Sequence, residues 1–329
     1  MPFINSRGDV AHGVGGGMCN LNNQPVAFGG VLGWWDDDTI AFCHGDNNWL
    51  VSLYHVPTKT IVVIDEKYGG PVGGVSANKG YASNNKHACW WFGTNDPAKV
   101  GIWSTVGYRN TVGGLMGMGA DGAIGYKPEY QSSGPTMYRR LDGTEFQLTL
   151  GSTDSLCLLE QDRALWLENG QIHTTPNFPP PLTDEGGMWM TYVSFCAGEW
   201  WFSCYHGKHG VVLYPFGKLV GYSIQATGNN WHTHRVLSDG IIRVACSTGI
   251  GEQAGEIWLR DYDVTRNLVR NPWGDNAWTP VSRVDITKIN YVEPPAQALA
   301  FTLDKTTGPS PLTVTATIQQ TGLTTWRWL

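Results

Sequence analysis

Apolar and polar positions along this chain alternate in a unit that recurs about every 40 residues. Each unit holds an apolar run, a tight polar turn, a second apolar run, a polar loop and a third apolar run. It is read at residues 33–42, 82–90, 118–126, 158–166, 195–202 and 236–244, the first of them Gly-Trp-Trp-Asp-Asp-Asp-Thr-Ile-Ala-Phe. The runs are short and rich in Val, Ile, Thr, Trp and Tyr, which is strand chemistry. Asp-Gly, Asn-Asn and Ala-Gly pairs between them tolerate the positive φ of two-residue hairpin turns. In the first unit Val31–Trp35 is predicted as the inner strand, Asp37-Asp38 as the turn, and Thr39–His44, Leu50–Val56 and Thr60–Asp65 as the remaining strands. The fifth unit repeats this with Thr191–Cys196, Glu199–Tyr205, Val211–Phe216 and Leu219–Gln225, and the sixth with His234–Leu237, Ile241–Ser247, Glu256–Tyr262 and Asn267–Arg270. Hardly any segment reads as helix.

One four-stranded sheet cannot bury both faces unless neighbours stack on it, so units of this length are expected to be blades of a β-propeller. Six units cover residues 31–270. The expected fold is all-β, a β-propeller with six blades favoured and seven as the alternative. Residues 14–30 and 278–290 are the candidate closing strands or seventh blade. The fourth unit is the poorest copy, because Pro176, Pro179, Pro180 and Pro181 cannot donate to a ladder. The segment Leu237-Ser238-Asp239-Gly240-Ile241-Ile242-Arg243-Val244 resembles the TolB-like propeller repeat, in which an Asp-Gly turn precedes an apolar second strand.

The composition changes after Asn290. The prolines in Val292-Glu293-Pro294-Pro295-Ala296-Gln297 suit a stiff linker. Beyond it, Gly308-Pro309-Ser310-Pro311-Leu312-Thr313-Val314 and Trp326-Arg327-Trp328 resemble the opening of a PKD domain, which implies an immunoglobulin-like sandwich, here truncated. The expected domains are a propeller over 1–290 with an N-terminal arm and closing strands, a linker over 291–298, and the beginning of a PKD-like domain over 299–329.

With 22 basic and 28 acidic residues the formal net charge is −6, and no stretch concentrates Lys or Arg, so nucleic acid is not an expected partner. No apolar run has the length of a signal peptide or of a membrane span, so no membrane insertion is expected. The seven cysteines are odd in number, and Cys43, Cys89, Cys204 and Cys246 follow the polar turn at similar distances, so they read as small buried hydrophobes with free thiols. Folding in a reducing cytosol follows from that reading.

In such a fold the loops between second and third strands and those between blades share one face, the default binding face. They carry the candidate ligand-binding residues Asp46, Trp49, Asp96, Tyr130, Tyr205, His206, His209, Trp231, His232 and His234, with Glu129 beside them. Flat aromatics next to amides and carboxylates suit a sugar ring, and Asn47-Asn48-Trp49 and Asn229-Asn230-Trp231 are the best examples. The competing reading is that the Trp residues fill gaps between blades. His206 and His209, and His232 and His234, have spacings that suit zinc, but no further ligand completes a site, so no metal or cofactor is expected. Glycoside hydrolysis needs two facing carboxylates, for which Asp46, Asp96, Glu129 and Glu252 are candidates, with no catalytic residue assigned. Asp36, Asp37 and Asp38 belong to a turn on the opposite face. Arg7-Gly8-Asp9 and the Gly13–Gly17 run are discounted, the first as a short chance match and the second because no helix pattern follows it.

The leading expectation is a non-enzymatic binding or adhesion protein, a virion (phage tail or capsid-decorating) or other surface-displayed component. It would fold in the cytoplasm and present its propeller face to a glycan or protein ligand, with other structural chains held through the C-terminal domain. A structural scaffold ranks second. A carbohydrate-active enzyme, hydrolase or lyase, ranks third.

Overall fold

Period-two alternation of apolar residues, interrupted by turn residues at positive φ, folds this chain into antiparallel meanders. In the computed structural model the described residues are 2–14, 18–44, 50–65, 78–83, 86–92, 102–103, 115–128, 134–151, 153, 155–168, 171–175, 188–206, 210–215, 218, 220–224, 232–248, 256–285, 301–303 and 316–318. They contain strands, turns and bends and no helix. Residues 1–289 form one unit and 290–329 a second.

The N-terminal meander is β1 (Pro2–Ile4), β2 (Val10–Val14), β3 (Met18–Leu21) and β4 (Gln24–Phe28). Next come β5 (Gly30–Asp36), β6 (Thr39–His44), β7 (Leu50–His55) and β8 (Thr60–Asp65), then β9 (Asn78–Ser83), β10 (His87–Phe92) and β11 (Ile102–Trp103). A parallel pair, Gly33 with Ala82, joins β5 to β9, so these seven strands share one sheet. β12 (Leu115–Met118), β13 (Ile124–Tyr126), β14 (Met137–Arg139) and β15 (Glu145–Gln147) make the next sheet, and β16 (Ser155–Leu158), β17 (Ala164–Glu168) and β18 (Gln171–Thr174) the one after. The last two meanders are β19 (Met188–Cys196), β20 (Glu199–His206), β21 (Gly210–Pro215) and β22 (Val220–Ile224), and β23 (His232–Ser238), β24 (Ile241–Thr248), β25 (Glu256–Asp263) and β26 (Leu268–Arg270). Two short strands extend them: β27 (Thr279–Pro280) pairs with β26, and β28 (Val284–Asp285) with β22. The C-terminal unit contributes β29 (Phe301–Leu303) paired antiparallel with β30 (Ala316–Ile318).

The fold of the first unit is a six-bladed β-propeller, counted by its six hydrogen-bonded sheets among the described residues. Counted by meander the number is seven, because the seven-stranded sheet carries two. Within 14–30, β3 and β4 are the outer half of a complete N-terminal meander, and the described residues of 278–290 supply the short additions β27 and β28 rather than a strand of the N-terminal sheet. The reason lies in the turns. The Asn5–Asp9 loop folds back through a hydrogen bond from Asn5 N to Asp9 O, and Asn22-Asn23, at φ 48° and 64°, reverses the chain before β4.

Inner strands are apolar on both faces where their sheet packs between two neighbours. On β24, Ile242, Val244 and Cys246 face Trp201, Leu213 and Tyr222 of the preceding blade. Ala245, between them, faces Ile4 and Val10 of the N-terminal sheet, together with Ile257 and Leu259. Ring closure therefore rests on packing between the first and last sheets. Burying each Ile or Val completely contributes roughly 1.5–3 kcal/mol. Among the described residues, Cys19, Cys157, Cys196 and Cys246 are free thiols, Cys43, Cys204 and Cys246 are buried as the repeat implied, and the Cys89 side chain lies outside the described residues.

Polar clasps reinforce the packing at the turn end of the blades. Asp37 accepts a hydrogen bond from Ser6 N (2.9 Å), Asp121 from Gln161 N (3.1 Å) and Asp239 from Ala197 N (2.8 Å), each across to a neighbouring sheet. Gly240 follows Asp239 at φ 82°, where a side chain would be strained and a Cβ would lie 3.1 Å from Thr265 Cγ2. Arg7 pairs with Asp38 (2.6 Å), so the Arg-Gly-Asp segment is part of this fastening. At the closure, Asp261 is fully buried and accepts from Arg243 Nε (2.6 Å) and Arg270 Nε (2.9 Å), while Arg243 also donates to Gly8 O (2.5 Å).

Candidate functional site

The titratable candidates with described side chains, His232 and His234, sit on β23. Residues alternate along a strand, so His232, His234 and Val236 share the face toward the β19–β22 sheet, while Leu237 packs with Ile4 and Val10 on the other. Both histidines are interior, His232 at 0% exposure and His234 at 7%. They are thus strand residues between blades and not part of the loop face on which sequence placed them. The run His-Thr-His-Arg looked like a loop because its polar residues precede the apolar ones, but the strand already begins at His232.

His234 exchanges hydrogen bonds with two hydroxyls, Ser194 Oγ on β19 through Nε2 (2.7 Å) and Ser203 Oγ on β20 through Nδ1 (2.6 Å). A neutral imidazole suits this, donating through one nitrogen and accepting through the other. Burial, aided by the neighbouring His232, pushes the His234 pKa down to about 3. The Tyr192 ring meets both imidazoles edge-on, 5.6 Å from His232 and 6.3 Å from His234 between centroids.

A serine hydroxyl within reach of a histidine has the outline of a nucleophile and its base. The chemistry does not follow here. Ser203 is fully buried, His234 is held between two hydroxyls, and a ring that protonates near pH 3 is far from a base poised near neutrality. The group fastens β23 to β19 and β20. Neither serine carried a sequence signal, since they lie 40 and 31 residues from their partner. The one legible sign was the His-x-His spacing, which puts both rings on one face of a strand.

Of the other candidates, Tyr205 and His206 lie in β20, at the end of the blade where loops leave it, without described side chains. Asp46, Trp49, Asp96, Tyr130, His209 and Trp231 lie outside the described residues, as do Glu129 and Glu252. Among the described residues, no group of three or more His, Cys, Asp or Glu is placed to hold a metal ion.

No family model matches the chain, and no curated protein matches it in sequence. Several solved structures share the fold. A structure from a study of two prolyl endopeptidases is 11% identical over 82% of this chain and 49% of its own, with a TM-score of 0.47. The β-propeller domain of the Trilobed protease from Pyrococcus furiosus, described as an open velcro topology, is 10% identical over 85% of this chain and 97% of its own (TM-score 0.45). Pyrococcus horikoshii acylaminoacyl peptidase is 10% identical over 80% and 47% (TM-score 0.41). The chain spans about half the length of the first and third. At such identities the likeness is one of fold.

The expectation of an adhesion or virion component is corrected by these findings, and the carbohydrate-active alternative is withdrawn with it. The named neighbours are peptidases, one of them represented by its β-propeller domain, and the two described histidines of the supposed ligand face are interior. The chain is an all-β propeller, similar in fold to the β-propeller domain of the Trilobed protease from Pyrococcus furiosus.

Proposed function

We propose that this chain is a peptidase-related propeller, a rigid ring that serves a catalytic part without supplying the catalytic groups itself. The observation that carries the reading is the use made of its polar groups. His234 is taken up by two serines of the preceding blade, Asp261 by two arginines, and the turn residues Asp37, Asp121 and Asp239 by backbone amides of neighbouring sheets. Side chains spent on fastening blades favour stiffness over turnover. The antiparallel β29–β30 pair supports reading residues 299–329 as the opening of an immunoglobulin-like module of the PKD type, a second point of attachment.

The peptidases among the fold's neighbours decide which substrates to assay first. Purified chain incubated with proline-containing and N-acylated peptides is expected to leave them intact. Hydrolysis that persists through repurification and is lost in Asp46→Asn or Asp96→Asn, with folding unchanged, overturns this reading.

A further inference from the structure

Outer strands of propeller blades are sheet edges, and each offers a row of backbone N–H and C=O groups to any chain that approaches. Most of the described outer strands here are blunted. β4 carries Pro25, β11 and β15 are only two and three residues long, β22 is covered by β28, and β26 by β27. β8 is different. It has six residues, closes one side of the seven-stranded sheet and, among the described residues, has β7 as its one strand neighbour. Ile61, Val62 and Val63 are consecutive and 50%, 58% and 37% exposed, so both faces of the ribbon meet water. Between Thr60 and Ile64 there is no Pro, Lys or Glu of the kind that guards natural edges.

We propose that this edge pairs with β8 of a second copy of the chain, antiparallel about a two-fold axis at Val62, joining two seven-stranded sheets. The strand is self-complementary in that register. Reversal about Val62 sets Ile61 opposite Val63, Thr60 opposite Ile64 and Lys59 opposite Asp65, so apolar positions meet at the centre and opposite charges at both ends. The contact is isologous, and every pairing off the axis occurs twice. A ribbon this short buries less than the roughly 1,200 Å² of a standard stable interface, so the dimer dissociates on dilution.

Sedimentation equilibrium of the full chain tests this. From tens of micromolar downward, the mass moves from about twice 36.1 kDa toward 36.1 kDa. Val62→Lys leaves a monomer throughout. Lys59→Asp, at a φ of 56° that Asp tolerates, puts like charges opposite each other twice and weakens association roughly tenfold, as does Asp65→Lys. The Lys59→Asp/Asp65→Lys double variant restores it. Circular dichroism and melting curves matching the parent show that each variant is folded. A parent chain that is monomeric at every concentration overturns the proposal. So does a dimer that survives Val62→Lys, or a double variant that fails to recover association.

Discussion

Between two blades an imidazole is stable as the neutral ring, because a charged one would lose its hydration. His234, between two blades, and His12, buried on β2, both meet that condition, with pKa values pushed down by burial to about 3 and about 4. Unfolded, each titrates near 6.5. Above that pH neither state is protonated and the histidines leave stability unchanged. As pH falls below about 6.5 the unfolded chain takes up protons that the fold refuses, so stability drops by up to about 1.4 kcal/mol per pH unit per histidine and levels off near the folded values. Urea denaturation at several pH values between 7.5 and 4.5 measures this, and His234→Gln flattens the slope. Ser203→Ala strands a buried ring nitrogen and costs about 1–3 kcal/mol at neutral pH. Little of this was legible in the sequence. His232 and His234 were visible as a pair, but their hydroxyl partners come from another blade and leave no local pattern.

Strands and turns were far more legible. Thr39–His44 and Thr60–Asp65 were delimited as the structure has them, since each is an apolar run that opens on Thr-Ile directly after turn residues. The Ala197-Gly198 and Asp239-Gly240 turns adopt the positive φ that their composition required. The N-terminal sheet was missed in part, because the five-residue loop from Asn5 to Asp9 hides the pairing of β1 with β2; what holds that loop is the Asn5 side chain, bonded to Asp9 and to Asp37 O. Turn aspartates and closure aspartates differ in burial, and their substitutions separate accordingly. Asp239→Ala removes one exposed clasp and costs about 0.5–1.5 kcal/mol. Asp261→Ala leaves Arg243 and Arg270 without their buried partner and costs about 3–5 kcal/mol. Thermal denaturation of the two variants side by side checks the ordering.

For the propeller as a whole, the period of the repeat was enough to predict radial stacking, whereas the manner of closure was not. Closure depends on contacts between residues more than 200 apart, such as Arg243 with Gly8, and no local pattern encodes them. Removing residues 1–28 uncovers Ala245, Ile257 and Leu259 on one side and Trp34, Ile40 and Phe42 on the other. The truncated chain is expected to bind a hydrophobic dye and to lose its single cooperative unfolding transition. Polar groups between blades serve rigidity, and this role is open to measurement. It is tested most directly by a double-mutant cycle on Ser203→Ala and His234→Ala, read by denaturation midpoint, with peptide hydrolysis followed in parallel. The account predicts a lower midpoint for each single variant, a double variant that loses less than their sum, and no change in hydrolysis. Unchanged midpoints would contradict it, as would peptide hydrolysis by the parent chain that the variants lose.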